Sequence, residues 1–192
     1  MTTARSRMLV LAMVVSLSAS AVNGHEEGTG LMYGPGNAFT IKAPPGWTLD
    51  TKSGQSQGLY AVFYPVGSSW SSSPAMMYVN TALKSGDPTL EHLIQGDVKR
   101  QKAASPNLQV VAGEPIAIGG GKQAPVNHLS GDKWGNIESI AYIEAPTVWV
   151  LVVLSSRDRQ AYERSLPAFI NLVRSHRIVP IPVKKGNRGA AI

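Results

Sequence analysis

The side chains that bind metals and transfer protons most readily in this chain are four histidines, His25, His92, His128 and His176. None of them has the HExxH or H-x₃-H spacing of a zinc site. His25 is a candidate copper ligand because of its place near the N-terminus. Cleavage after Gly24 would give it a free amine beside its imidazole, and cleavage after Val22 would make it a third-position histidine that suits Cu(II) or Ni(II). Copper binding through His25 is therefore one alternative function.

Nucleophilic catalysis has little support in the residue spacing. The chain contains no cysteine, so disulfides and thiol chemistry are excluded. His128, Ser130 and Asp132 lie close together, but alternate residues of a strand and a turn do not by themselves place a nucleophile beside a base. A cryptic hydrolase is the third hypothesis, and we expect the chain not to be an enzyme.

The run Gly119-Gly-Gly-Lys122 invites comparison with a phosphate-binding loop. A Walker loop has four residues between its glycines and a Ser or Thr after its lysine. Here Gln123 follows the lysine and no helical pattern begins. We interpret these residues as a turn between two strands.

Two tryptophans fall in polar loops, Trp70 in the serine-rich run 67–73 and Trp134 directly after Lys133. An exposed Trp in a loop is typical of a contact surface. Either ring could instead fold back over the core, because Trp is buried on average. We predict that Trp70, Lys133 and Trp134 contact a partner, and the exposure of the two rings stays open.

Positive charge is concentrated near the C-terminus of a chain whose net charge is +6. From Arg157 onward there are eight Lys or Arg against two acids, whereas residues 25–156 hold eight basic and ten acidic residues. Such a face suits an acidic partner or an anionic membrane, and it equally suits a solvated helix face. Arg174 and Arg177 are its candidate contact residues, and the helix dipole accounts for His176 between them. We expect no nucleic acid partner and only weak membrane contact through this face.

Residues 1–24 have the pattern of a secretory signal peptide, with a basic start and an apolar run. The run is shorter than the roughly 20 apolar residues of a membrane span. Cleavage after Ala21 or after Gly24 fits the small residues there. We therefore predict a periplasmic or secreted mature chain, with residues 25–37 as a flexible leader and residues 179–192 as a basic flexible tail.

A single domain is predicted over residues 38–178. The run 148–154 is apolar on both faces, so as a strand it must be covered on both sides. One helix begins near Thr89, and a second contains Pro167, which predicts a kink or two short helices. Short connections between the later strands require antiparallel pairing. The predicted fold class is α+β, a three-layer α/β/α sandwich with a central, mostly antiparallel sheet.

Several segments of this domain match a known fold family in residue type. They are Phe39-Thr-Ile-Lys-Ala-Pro-Pro-Gly-Trp47, Thr89-Leu-Glu91, Tyr142-Ile143, the run 148–154, Tyr162-Glu163, Leu166-Pro-Ala-Phe-Ile170 and Val173-Arg-Ser175. With these segments the chain resembles the PsbP-like family, which includes photosystem II extrinsic subunits, envelope proteins of the DcrB type and a Ran-binding nuclear-import factor. The resemblance implies an exported accessory or binding protein without catalysis or cofactor. Its partner would be another envelope or secreted protein.

Overall fold

The computed structural model describes residues 28–34, 37–86 and 89–180. The predicted signal peptide, His25 and the tail beyond residue 180 lie outside these ranges. Within them the chain forms ten strands and two α-helices. The strands are β1 Thr29–Gly34, β2 Asn37–Lys42, β3 Trp47–Asp50, β4 Ala61–Pro65, β5 Ala75–Leu83, β6 Gln109–Ala117, β7 Gln123–Ser130, β8 Ile137–Glu144, β9 Val148–Ser156 and β10 Arg177–Ile178, and the helices are α1 Leu90–Ala104 and α2 Arg159–Arg174.

The central layer is a seven-stranded sheet in the order β3-β4-β5-β9-β8-β7-β6. Each pair of neighbours in this sheet is antiparallel. β9 lies in the middle, paired with β5 on one side and β8 on the other. Its apolar residues are buried on both faces, which is the environment that its composition predicted.

The sheet separates two apolar clusters, one under each helix. The larger cluster includes Phe63, Val152 and Leu154 of the sheet with Phe169 and Leu172 of α2. The smaller cluster packs sheet residues against the stripe Leu90, Leu93 and Ile94 of α1. Helix, sheet and helix are therefore three layers, and the predicted α+β sandwich is confirmed.

A second, small sheet adds to the α2 side of the molecule and corrects the prediction for residues 25–37. β2 pairs with both β1 and β10, so the segment expected to be a flexible leader contains a strand at Thr29–Gly34. The glycine-rich composition was misleading because Gly30 has a packing role. A Cβ there would lie 2.6 Å from Met32 Cε and 2.9 Å from Leu49 Cδ2. Met32 itself is buried in the larger cluster.

Both helices begin at side-chain caps. The Thr89 hydroxyl accepts from the His92 N–H at 3.2 Å, and the Asp158 carboxylate accepts from the Ala161 N–H at 2.8 Å. Of the two alternatives predicted for Pro167, division into two short helices was wrong, since α2 is one helix with this proline inside. Pro167 and the residue four positions before it are both exposed, so water can solvate the carbonyl that lacks a donor.

Candidate binding groove

Two adjoining cavities of about 390 and 850 Å³ form a groove on the α1 side of the sheet. The cavities share Tyr78, Asn80, Asn136 and Glu138, and we call their combined space the aromatic groove. Strand alternation explains which residues line it. In β5 the residues Ala75, Met77 and Val79 enter the core on the α2 side, so the residues between them face α1.

Trp70 lines the larger cavity of the aromatic groove. Its ring lies edge-on to Tyr78, with 6.3 Å between the ring centroids and an interplanar angle of 89°. This T-shaped arrangement is a favourable one for aromatic pairs. The Trp70 side chain is half-buried, so it packs on the wall of the groove while part of it stays accessible. The Trp70 ring is therefore neither fully exposed nor fully folded into the core, which were the two alternatives left open by the sequence.

The loop that carries Trp70 is held by its own serines. The Ser69 hydroxyl lies 2.7 Å from that of Ser72, and the Ser73 hydroxyl donates to the Ala75 carbonyl. The Ser156 hydroxyl donates to the Pro74 carbonyl at 2.6 Å, which attaches the loop to β9. These bonds reduce the freedom of the loop before any partner arrives.

Trp134 lines the smaller cavity of the aromatic groove and is 55% exposed. The Asp132 carboxylate accepts from the backbone N–H groups of Trp134 at 3.0 Å and Asn136 at 2.7 Å, which fixes the turn. The Lys133 backbone N–H donates to Ser105 at the end of α1 at 3.2 Å. The Lys133 ammonium lies 4.4 Å from the centroid of the Trp134 ring. Lys133 and Trp134 therefore form one fixed, exposed unit at the rim.

Glu138 contributes a carboxylate to the part shared by both cavities. Burial raises its pKa above the ordinary value, a bond to Ser155 lowers it, and the charges of Asp132 and Asp97 raise it further. Glu138 takes part in none of the ion pairs found within the described residues. Arg100, which also lines the groove, is paired with Asp97. A half-buried carboxylate of this kind favours a ligand that brings a positive charge or a hydrogen-bond donor.

The other charged residues of the aromatic groove also favour a positively charged ligand. Its lining contains four acids and two arginines, namely Asp97, Asp132, Glu138, Asp158, Arg100 and Arg157. Arg100 is bound to Asp97, and the Arg157 Nε donates to the Asn136 side chain at 3.2 Å. The groove is therefore net acidic, with one tryptophan in each of its two cavities.

The hydrolase residues named by the sequence do not assemble. His128 and Ser130 line a cleft of about 320 Å³ beside α2, whereas Asp132 lies in the aromatic groove. His128 Nδ1 instead lies 2.8 Å from Ser139 Oγ, which lies 2.6 Å from the Tyr162 hydroxyl. Ser139 is fully buried, so this network joins β7, β8 and α2 and offers no accessible nucleophile. This network could not be predicted from the sequence, because its residues meet only through the register of β7 and β8 and the packing of α2 on the sheet.

Two short sequences have the letters of serine-hydrolase motifs without their structure. Residues 54–58 read G-x-S-x-G, but Ser56 lies exposed in a 3₁₀ turn between β3 and β4, whereas a nucleophile elbow joins a strand to a helix. Residues 130–133 read S-x-x-K, but Lys133 lies over a Trp ring at the turn after β7. Neither run indicates catalysis.

The remaining site candidates lie away from the aromatic groove. Arg174 and Arg177 are exposed at the end of α2, and Arg177 Nη1 donates to the carbonyls of Arg174 and His176 at 2.6 and 2.7 Å. His176 is buried, and burial lowers its pKa, so the helix dipole alone does not account for it as the sequence suggested. His25 lies outside the described residues. Within the described ranges, no group of three or more His, Asp or Glu is placed to hold a metal.

Helices on both faces of a mostly antiparallel sheet define a three-layer α+β sandwich. Solved structures similar to this chain include CyanoP, the PsbP of Synechocystis sp. PCC 6803 (TM-score 0.54, 14% identity, 84% of this chain and 99% of that one). LpqN, involved in cell envelope biogenesis of Mycobacterium tuberculosis, has a TM-score of 0.54 and 18% identity over 79% of this chain and 91% of that one. The Saccharomyces cerevisiae Ran-binding protein Mog1p has a TM-score of 0.51 and 12% identity over 78% and 93%. These likenesses show the fold.

No protein-family model and no curated protein matches the chain. Neither helix in the described ranges has the length and apolar character needed to cross a membrane.

Proposed function

We propose that this chain is an exported, non-catalytic binding protein whose aromatic groove holds an extended segment of another envelope or secreted protein. The signal-peptide pattern of residues 1–24 supports export. The fold supports a binding role, because similar structures include a protein of cell envelope biogenesis and a Ran-binding protein. Since fold alone does not name a partner, the partner chemistry is argued from the groove.

The observation that carries the proposal is the joining of Trp70 and Trp134 by one groove. The two tryptophans are 64 positions apart in sequence, yet the cavities that they line share four residues. Tryptophans are strongly enriched among residues that dominate binding energy. A groove with one tryptophan in each of its two cavities suits an extended segment with two apolar side chains, one for each cavity.

Glu138 specifies the middle of that segment. This residue lines both cavities, half-buried and without a cationic partner among the described residues. A Lys or Arg side chain of the partner would supply the missing positive charge. The segment is therefore expected to combine two apolar side chains with a central basic one.

The test is photocrosslinking in the native host, with a photoreactive residue in place of Ser71 on the aromatic groove. A second copy carries the same residue in place of Gln109, which is exposed on β6 and outside the groove. A protein captured reproducibly at the first position and not at the second is the expected result. Equal capture at both positions would remove the groove from consideration.

The captured segment then gives a direct affinity measurement. Trp70→Ser and Glu138→Gln should each weaken binding of a synthetic copy of that segment by about tenfold or more. Val66→Ser is the matched control, because Val66 is 69% exposed in the same loop and does not line the groove. Unchanged affinity in both groove variants would contradict the proposal.

A further inference from the structure

A separate cleft of about 280 Å³ lies between the glycine turn and the end of α2. Its lining includes Gly119, Lys122, His176 and Arg177, and none of its lining residues belongs to the aromatic groove. The sequence placed the two halves of this cleft more than fifty positions apart. The fold joins the glycine run to the basic C-terminal face.

The charged residues of this cleft are both cations. Lys122 and Arg177 line it, and no acid does. Neither takes part in the ion pairs found within the described residues. Lys122 does act through space on Glu144, but that carboxylate is bound directly by Lys84 at 2.7 Å. Two uncompensated cations around one concave space attract an anion.

Arg177 is held in place before any ligand arrives. Its Nη1 donates to the carbonyls of Arg174 and His176, while its charge has no carboxylate partner in the described chain. Gly119 allows this position, because a Cβ there would lie 2.9 Å from Arg177 Cδ. A side chain at residue 119 would therefore push the arginine away from the cleft.

His176 supplies the observation that points to a ligand. The residue is 2% exposed, and its Nε2 has no hydrogen-bond partner among the residues that the structure describes. Burial and the charge of Arg177 lower its pKa to about 4, so the ring is neutral at neutral pH. Buried polar atoms nearly always have partners. The unmet hydrogen bond of His176 thus lies in the wall of the cleft, where its ring reports on a bound anion.

We propose that this cleft binds a small tetrahedral oxyanion of the phosphate type, either free or as a phospholipid headgroup. Arg177 and Lys122 would supply the positive charge, and the backbone of the glycine turn would let the anion approach closely. The site does not depend on the proposed function of the aromatic groove.

The experiment titrates the mature protein with inorganic phosphate against chloride at matched ionic strength, followed by calorimetry and by NMR of the His176 ring. Saturable phosphate binding with a shift of the His176 signals is expected. Arg177→Gln and Gly119→Ala should each weaken it by about tenfold or more, since each removes or displaces a charged donor. Gly119→Ala makes this test without changing the net charge.

Matched controls separate a site from general electrostatic attraction. Arg174→Gln removes the same charge at the same helix end without touching the cleft, and it should change affinity by less than about twofold. Gly96→Ala controls for the glycine change, because a Cβ there meets nothing within 4 Å. Equal losses in Arg174→Gln and Arg177→Gln would overturn the proposal.

A second arm identifies the source of the phosphate group. Sedimentation with phosphatidylcholine vesicles is compared with and without phosphatidylglycerol, using the same variants. Binding that needs phosphatidylglycerol and is lost in Arg177→Gln, without binding of inorganic phosphate, assigns the cleft to a lipid headgroup. Absence of both phosphate and vesicle binding would refute the site.

Discussion

The bond between Tyr142 and Asp97 should be the main polar attachment of α1 to the sheet. The Tyr142 hydroxyl donates to the Asp97 carboxylate at 2.8 Å, and the two residues are 0% and 4% exposed. Asp97 is the one fully buried residue of α1 in the described chain. Burial and the charge of Asp97 raise the pKa of Tyr142, so the hydroxyl keeps its proton at neutral pH. Because α1 forms one wall of the aromatic groove, this bond links stability to the site.

Tyr142→Phe removes the donor and leaves a buried carboxylate oxygen with one bond fewer. A hydrogen bond to a charged group contributes about 1.5–3 kcal/mol, so the free energy of unfolding should fall by about that amount. For a domain of this size the corresponding fall in Tm is about 3–12 °C. Chemical and thermal denaturation measure both quantities. Tyr60→Phe is the control, because Tyr60 is 40% exposed and its hydroxyl has access to water.

A double-mutant cycle with Asp97→Asn isolates the pair. The two substitutions should couple by about 1 kcal/mol or more, since they act on one bond. Hydrogen exchange should then accelerate in α1 and not in α2. A loss below about 0.5 kcal/mol in Tyr142→Phe, or full additivity in the cycle, would refute the idea that this bond attaches the helix.

Three further predictions concern other parts of the fold. Gly113→Ala would place a Cβ 2.5 Å from His128 Nε2, so the network with Ser139 must shift and denaturation should show a loss of about 1–3 kcal/mol. His176 has a folded-state pKa of about 4, below its ordinary value of 6.5. Its contribution is therefore present above pH 6.5 and is lost as pH falls towards 4, by up to about 3 kcal/mol, and His176→Phe should flatten that part of the stability profile. The pKa of Glu138 is raised in the folded state, so its ionisation opposes folding as pH rises. Glu138→Gln should therefore increase the free energy of unfolding at neutral pH while it weakens partner binding. A lower stability of this variant at neutral pH would contradict the assignment.

The sequence predicted those parts of the fold that depend on local composition. The apolar run of β9 identified a strand buried on both faces, and Thr89 identified the start of α1. Prediction from the sequence failed where the structure depends on contacts between residues that are far apart in the chain. β1 was missed because its apolar run, Leu31-Met-Tyr33, is only three residues long and lies between glycines, so the strand becomes visible only through its pairing with β2. The burial of His176 was missed because the ring that packs against it, that of Phe39 at 5.1 Å, comes from β2 of the small sheet, far away in the sequence.

The candidate site was predicted as separate pieces. Trp70 and Trp134 were both named from their loops, but their common groove follows from the pairing of β5, β9 and β8. Glu138 was not named at all, since one carboxylate in an alternating strand has the pattern of an exposed residue. Its significance appears only when its burial is known.

The difference between the two faces of the central sheet favours binding over a merely incomplete core. On the α2 side, β5 and β9 present small and apolar residues that α2 covers. On the α1 side, the same strands place Asn80 and Ser155 beside Glu138, and these residues stay partly exposed next to α1. A surface that is only covered by other parts of the chain would be apolar there, and a surface that only contacts water would not carry a tryptophan in each of its two cavities. Polar groups with aromatic rings beside them are instead the composition of small, specific binding sites.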